Sequence, residues 1–178
     1  MAFHEKDVGV LIDEATLQAR IRQLAEQLTR DYQGKELTLL SVLKGSVFFM
    51  TDLARAVDLP LTVEFLGVSS YQGGTETTGE VRITSDVTKP MAGKHIVIVE
   101  DIIDTGLTMK FLIENLQARH PASLKVCSLL EKPARARTQI DIHYKGFTID
   151  DVFVVGYGLD YAEKYRNLPF IGVMKKKT

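Results

Sequence analysis

The segment HIVIVEDIIDTGLTM, residues 95–109, holds the residue types and spacing that best suit chemistry. Its apolar start predicts a buried strand that delivers two adjacent carboxylates, Glu100 and Asp101, to the carboxyl edge of a sheet, where open α/β folds place their ligands. Asp104 follows, and the turn at residues 105–108 leads into a predicted helix. Because a helix N-terminus presents unpaired N–H groups and a positive dipole end, this turn suits a phosphate.

The acidic residues beside the turn restrict what can bind there. Carboxylates repel a bare phosphate, so they call for hydroxyl groups, a divalent cation or both as partners. A phosphorylated sugar with Mg²⁺ meets these requirements. The glycine spacing matches neither GxGxxG nor GxxxxGK[ST], which disfavours dinucleotide and nucleoside triphosphate sites.

Structural alternatives exist for both parts of this segment. Asp104 with the following Thr-Gly could be an ordinary turn and helix N-cap. Glu100 and Asp101 could lie on a solvated face, but they directly follow HIVIV, and an unpaired charge in a half-buried position is costly.

The elements that would position these residues alternate between strands and helices. Apolar residues at helical spacing after Asp13, a candidate N-cap, predict an amphipathic helix over 14–32. Strands are predicted over LTLLSVL (37–43), LTVEFLGV, HIVIVE (95–100), SLKVCSLL and VFVVGY, and helices after Gly45 and Gly106. This order predicts an α/β fold with a mainly parallel central sheet flanked by helices, in a single domain spanning residues 1–178.

Two regions interrupt the alternation. Residues 69–80, SSYQGGTETTGE, contain no large aliphatic side chain and predict a long polar, mobile loop. Residues 133–150 are mixed and charged, which predicts loop with short strand.

Composition excludes several classes of protein. The chain has 178 residues, 45% hydrophobic and 25% charged, which excludes a disordered or fibrous chain. The net charge of −1 gives no electrostatic case for binding nucleic acid or a membrane surface. The one cysteine, Cys127, lies in an apolar run, and the sequence shows neither a signal peptide nor a membrane span, so we expect a cytoplasmic location.

The run VIVEDIIDTGLTM closely resembles the 5-phosphoribosyl 1-pyrophosphate (PRPP) signature of the type I phosphoribosyltransferases, in particular of the hypoxanthine-guanine group. The resemblance covers nearly the whole chain. SVLKGSVFFMTDL is similar to the family's pyrophosphate loop, SSYQGGTETTGEVRI to its mobile catalytic loop, SLLEKPARA to its base-recognition segment and FVVGYGLDYAEKYRNLPFIG to its C-terminal hood. The fold implied adds a small hood, built from both termini, to the central sheet.

The resemblance implies roles for the sugar-binding residues. Glu100 and Asp101 would hold the ribose hydroxyls, directly or through Mg²⁺. The 5-phosphate would be surrounded by the turn residues Asp104, Thr105, Gly106, Leu107 and Thr108. Some relatives have a basic residue at the position of Leu107, so here the phosphate would depend on backbone N–H groups and hydroxyls. Lys44 and Gly45 resemble the pair that contacts pyrophosphate, in which the peptide bond is often cis.

The resemblance also implies a base site. Phe153 would stack on the purine, the Val154 backbone would meet the base edge, and Lys132 would recognise the base. Asp160 would bind a second Mg²⁺ through pyrophosphate, which Arg166 would contact. Without the resemblance, Phe153 is more readily a core residue, and Lys132 a solvated lysine at a strand's exit.

The reaction implied is purine salvage: hypoxanthine or guanine plus PRPP gives IMP or GMP plus pyrophosphate. Asp104 is the candidate for proton transfer, and a loop is needed to keep water from the cationic sugar, with Ser69, Ser70 and Tyr71 as its contact residues. A homo-oligomer, dimer or tetramer, is also implied. Two alternatives stay open: a regulatory protein that binds PRPP without catalysis, and xanthine as the base.

Overall fold

The structure, a computed structural model, describes residues 7–70 and 81–175. Its elements are β1 (Val8–Ile12), α1 (Glu14–Asp31), β2 (Leu37–Leu43), α2 (Val47–Ala56), β3 (Leu61–Ser70), β4 (Val81–Ser85), β5 (His95–Ile103), α3 (Leu107–Gln117), β6 (Ser123–Glu131), a short 3₁₀ turn (Pro133–Arg135), β7 (Tyr144–Thr148), β8 (Val154–Val155) and β9 (Ile171–Met174). The predicted α/β fold is confirmed.

The central sheet has six strands in the order β4-β3-β2-β5-β6-β7. All neighbours from β3 to β7 pair in parallel, and β4 alone runs antiparallel, against β3. Strands β2 and β5 are therefore central, which explains their nearly continuous apolar sequences.

Helices cover both faces of this sheet. In β5, Val97 and Val99 belong to the apolar cluster that includes α1 and α2, whereas Ile96 and Ile98 belong to the cluster that includes α3. Successive side chains of a strand point to opposite faces, so one apolar strand can serve both layers. Helix α1 begins as predicted at Asp13, whose Oδ1 accepts a hydrogen bond of 2.8 Å from the Thr16 N–H.

A second, three-stranded antiparallel sheet, in the order β1-β9-β8, forms the hood. It joins the two ends of the described chain, as predicted. The predicted strand VFVVGY is reduced to Val154–Val155, because Gly156 (φ +95°) and Tyr157 (φ +50°) turn the chain out of the extended conformation.

The predicted boundary of the polar loop at residue 69 is wrong. Ser69 and Ser70 belong to strand β3, where they pair with Arg82 and Val81, so the loop begins later than residue 69. Tyr71 and the rest of the loop to residue 80 lie outside the described residues. Region 133–150 contains the 3₁₀ turn and strand β7, which extends the parallel sheet beside β6.

In the described ranges, no helix is long and apolar enough to cross a membrane.

Candidate active site

A cavity opens where the two central strands separate. β2 and β5 pair from Leu37 and His95 as far as Ser41 and Val99, and Glu100 and the following residues extend β5 beyond that last pair. The cavity has a volume of about 270 Å³. It lies at the carboxyl ends of the parallel strands, where α/β folds place their ligands.

The cavity brings together eight of the residues singled out in the sequence: Gly45, Glu100, Asp101, Asp104, Thr105, Gly106, Thr108 and Arg166. The other predicted residues that the structure describes do not line it; these are Lys44, Ser69, Leu107, Lys132, Phe153, Val154 and Asp160. Of Ser70 the structure describes only the backbone. The cavity thus joins an acidic strand end, a glycine turn and one guanidinium group.

The turn before α3 requires a glycine because it packs closely on the segment around Thr138. Gly106 has φ +80°, and a Cβ there would lie 2.7 Å from the Thr138 carbonyl oxygen, so only glycine fits. The Leu107 N–H is 3.4 Å from Thr105 Oγ1, a weak contact that a better acceptor can replace. The Leu107 side chain is half-buried and outside the cavity lining, as expected for a residue that offers only its backbone.

The two carboxylates at the end of β5 interact electrostatically. Burial raises the pKa of Glu100 well above its usual value, and the neighbouring charge of Asp101 raises it further. The Gly45 backbone lies directly against the Asp101 carboxylate, which occupies the space that a Cβ at position 45 would need. The cis peptide bond of this segment joins Leu43 to Lys44, one residue before the Lys44–Gly45 bond for which the resemblance implies it.

Asp104 lies at the border of the first cavity and a second one of about 520 Å³. Its Oδ1 is buried and accepts no hydrogen bond from any described group. Arg135 Nε is 3.2 Å from that oxygen, close enough to attract its charge but without hydrogen-bond geometry, and Arg135 Nη1 is 3.8 Å from Asp151. The sequence reasoning missed Arg135; its one signal is a cation three residues after Lys132 at the exit of a buried strand.

Lys132 lines the second cavity together with Asp104. Its side chain is only 6% exposed, so a solvated strand exit is the wrong interpretation. Among the described residues, its ammonium has no hydrogen-bond or ion-pair partner. The side chain is thus packed along its length and ends at the second cavity, where its ammonium is available to a ligand.

Phe153 is not a core residue, contrary to the alternative from sequence alone. Its side chain is 56% exposed and contacts the exposed Tyr161 ring edge-to-face, with 5.8 Å between ring centroids. Val154, the next residue, is buried in β8 and pairs with Val173 of the hood sheet. The hood therefore presents an aromatic face beside a fixed backbone strand.

Arg166 connects the hood with the cavity. Its Nη1 donates to the Gly158 carbonyl oxygen (2.7 Å), and its Nη2 lies 2.9 Å from Asp160 Oδ1. Its Nε is buried and has no hydrogen-bond partner in the described part of the chain. Glu163, which the sequence reasoning also missed, bridges Arg166 (3.3 Å) and Lys44 (2.9 Å).

No metal-binding group of three or more His, Cys, Asp or Glu side chains occurs among the described residues. A metal ion at Glu100 and Asp101 would therefore need oxygen ligands from the substrate. Mg²⁺ is commonly bound in this way, by one or two carboxylates together with substrate phosphates.

Comparisons with known proteins agree with this geometry. Residues 12–162 match the family described as the phosphoribosyl transferase domain. The hypoxanthine-guanine phosphoribosyltransferase of Staphylococcus aureus is 49% identical over 95% of this chain and 94% of its own length, and that of Mycobacterium avium is 47% identical over 96% and 87%. A crystal structure of a hypoxanthine phosphoribosyltransferase from Staphylococcus aureus superposes with a TM-score of 0.94 at 47% identity, covering 98% of this chain and 95% of that one. The chain therefore belongs to the phosphoribosyl transferase family, and within it to the hypoxanthine-guanine phosphoribosyltransferases.

Proposed function

We propose that this chain transfers the 5-phosphoribosyl group from PRPP to hypoxanthine or guanine, giving IMP or GMP and pyrophosphate. The observation that carries the proposal is the cavity at the end of β5, where two carboxylates, a glycine turn at a helix N-terminus and the Arg166 guanidinium meet. These groups match the hydroxyls, the 5-phosphate and the pyrophosphate of PRPP.

The sugar half of the site binds PRPP through three kinds of contact. Glu100 and Asp101 accept hydrogen bonds from the ribose hydroxyls. The backbone N–H groups and hydroxyls of residues 104–108 surround the 5-phosphate, assisted by the helix dipole of α3. Lys44 and Arg166 bind pyrophosphate, and they stabilise the negative charge that grows as the bond to the anomeric carbon breaks.

Mg²⁺ fits this site and, when bound, supplies further positive charge to the departing pyrophosphate. Glu100 and Asp101 would hold one ion together with oxygens of PRPP, and Asp160 a second ion through pyrophosphate. The two sites are consistent with the absence of a three-ligand cluster in the described ranges, because PRPP would complete each coordination shell.

The purine half of the site uses the second cavity and the hood. Phe153 stacks on the base, the Val154 backbone meets its edge, and the Lys132 ammonium donates a hydrogen bond to the 6-oxo group. Asp104 takes the proton that the imidazole ring of the purine loses. Its position between the two cavities supports this role, since that proton leaves beside the new bond between base and sugar.

The proposal also covers the domain organisation, the cellular location and the oligomeric state. Residues 1–178 act as one phosphoribosyltransferase domain. Ser69 and Ser70 at the end of β3 contact the reacting sugar, and the segment from Tyr71 to residue 80 covers it. The enzyme acts in the cytoplasm, as expected for a chain whose one cysteine is a buried core residue. It forms a homo-oligomer, supported by the exposed apolar side chains of Val63 and Phe65 on β3 and Phe48 on α2.

A pyrophosphate-release assay tests the proposal. Purified protein with PRPP, Mg²⁺ and hypoxanthine should release one pyrophosphate for each IMP formed, and chelation of the metal should abolish turnover. Binding of PRPP without pyrophosphate release, with any purine, would support the regulatory alternative instead.

A further inference from the structure

Glu163 lies between two cations of the site. Its two carboxylate oxygens contact different cations: Oε2 lies 2.9 Å from Lys44 Nζ, and Oε1 lies 3.3 Å from Arg166 Nη2. Lys44 and Arg166 are the two cations assigned above to pyrophosphate. A single carboxylate therefore bridges the pair that two phosphate oxygens would otherwise bridge.

The backbone holds Glu163 in this position. Ala162, Glu163 and Tyr165 all have positive φ, between +51° and +73°, which is unusual for residues other than glycine. The Glu163 N–H donates to Asp160 Oδ2 at 2.8 Å, which closes the turn. Such conformations cost energy and persist only where the surrounding contacts maintain them.

The charge of Glu163 and the hydrogen bonding of Arg166 both favour exchange of Glu163 for another anion. Glu163 forms ion pairs with both Lys44 and Arg166, so it competes for these cations as an anion. Arg166 still has a buried Nε without a hydrogen-bond partner in the described chain, and no other basic side chain of the described residues lines the cavity. The guanidinium is thus only partly satisfied by Gly158, Asp160 and Glu163, and it can donate to a further anionic ligand.

We infer that Glu163 is an internal substitute for pyrophosphate: its carboxylate neutralises Lys44 and Arg166, and pyrophosphate displaces it when it binds. The inference rests on the proposed function for the assignment of the two cations. The consequence is that Glu163 weakens the binding of PRPP and of the pyrophosphate product, which favours product release. Binding of the purine base is not affected, because the carboxylate contacts neither Lys132 nor Phe153.

Calorimetric titration with inorganic pyrophosphate in the presence of Mg²⁺ tests the inference directly. Glu163→Gln keeps the size of the side chain and removes its charge, so it should bind pyrophosphate about three- to tenfold more tightly than the wild type, the range expected when two exposed ion pairs no longer compete. Glu163→Asn, whose side chain suits positive φ, should show the same direction of change.

A matched control comes from Glu36, an exposed carboxylate 2.6 Å from Lys94 and outside the cavity. Glu36→Gln removes the same charge and one ion pair, and it should leave pyrophosphate affinity unchanged. The difference between Glu163→Gln and wild type should also shrink at high ionic strength, since salt screens exposed charges. A purely structural role of Glu163 would not produce that salt dependence.

Steady-state kinetics separate this inference from the proposed function. In Glu163→Gln, the KM for PRPP and the inhibition constant of pyrophosphate should fall together, while the KM for hypoxanthine stays constant. Equal or weaker pyrophosphate binding by both variants would overturn the inference, even if the wild type is an active transferase. Tighter binding by the variants of a protein that turns over no purine would instead sustain the inference and overturn the proposed function.

Discussion

Gly158 of the hood packs so closely on Gly45 that the first carbon of any side chain at position 158 would overlap the Gly45 carbonyl oxygen. Gly45 in turn lies against the Asp101 carboxylate. The hood and the pyrophosphate segment are therefore in backbone contact, and the pyrophosphate segment in turn contacts the Asp101 side chain at the acidic strand end. A small displacement of one of them moves the others, which is how the fold sets the spacing between sugar and pyrophosphate groups.

Replacing Gly158 tests this contact. Gly158→Ala should raise the KM for PRPP and lower the free energy of unfolding, because φ +101° is unfavourable for alanine and its methyl group collides with Gly45. Gly93→Ala is the matched control: Gly93 also has positive φ (+72°), but nothing lies within 4 Å of the place that a Cβ would take there. That variant should lose only about 1–2 kcal/mol of stability and keep its KM, and an equal KM effect in both would contradict the account.

Asp104→Asn should lower kcat by about 10²–10⁴, because the amide keeps the shape of the turn but cannot take the purine proton. PRPP affinity should change little. The control is Asp151→Asn, the other carboxylate beside Arg135, at 3.8 Å, which should keep near wild-type kcat. An unchanged kcat in Asp104→Asn, with chemistry shown to limit the rate by single-turnover measurements, would leave Asp104 as a structural residue of the turn.

Lys132→Met should lower catalytic efficiency without lowering the free energy of unfolding. Because the ammonium has no partner among the described residues and methionine keeps the apolar stem of this buried side chain, the substitution should not lower the free energy of unfolding. The kcat/KM for hypoxanthine should fall by about 10- to 100-fold, the value of a hydrogen bond to a charged donor. Arg22→Met, at an exposed arginine of α1, should leave both quantities unchanged. A clear loss of stability in Lys132→Met would identify the lysine as structural.

Glu100 should make the stability of the ligand-free protein depend on pH. Its pKa is raised in the folded state, so folding favours the protonated form. This contribution to stability is present below the ordinary pKa of a glutamate and is lost as pH rises through the folded-state value. Glu100→Gln should remove that part of the pH dependence and should be more stable than the wild type at neutral pH, as measured by urea unfolding at several pH values. Identical pH profiles for the two proteins would refute the assignment.

Sequence pattern predicts the parts of the fold that depend on local periodicity. Helix α1 and strands β2, β5 and β6 follow directly from apolar spacing, because their burial is strongly one-sided or complete. Strand β7 does not stand out within region 133–150, since its sequence YKGFT is short and polar in part and forms only because β6 offers an edge for pairing. The pattern also predicts a loop at Ser69 and Ser70, because serine disfavours strands. In the structure these residues are extended because they pair with β4, which overrides their local preference.

Some residues of the candidate site can be predicted from the sequence, and others cannot. The acidic strand end and the glycine turn are contiguous in sequence, so their convergence on one cavity follows from a single strand-turn-helix unit. Arg135 and Glu163 escape sequence reasoning because they act across the fold, Arg135 on Asp104 and Glu163 on Lys44. No local pattern distinguishes such residues from ordinary surface charges, and only the tertiary structure brings them to their partners.

A panel of four purine bases tests whether the site transfers phosphoribosyl groups to 6-oxopurines. Nucleotide formation from PRPP and Mg²⁺ is measured side by side with hypoxanthine, guanine, xanthine and adenine. The Lys132 ammonium can donate to a 6-oxo group but meets the 6-amino group of adenine donor to donor. We predict turnover with hypoxanthine or guanine and a kcat/KM for adenine lower by about 10⁴ or more; comparable turnover of adenine, or none with any of the four bases, would contradict the account.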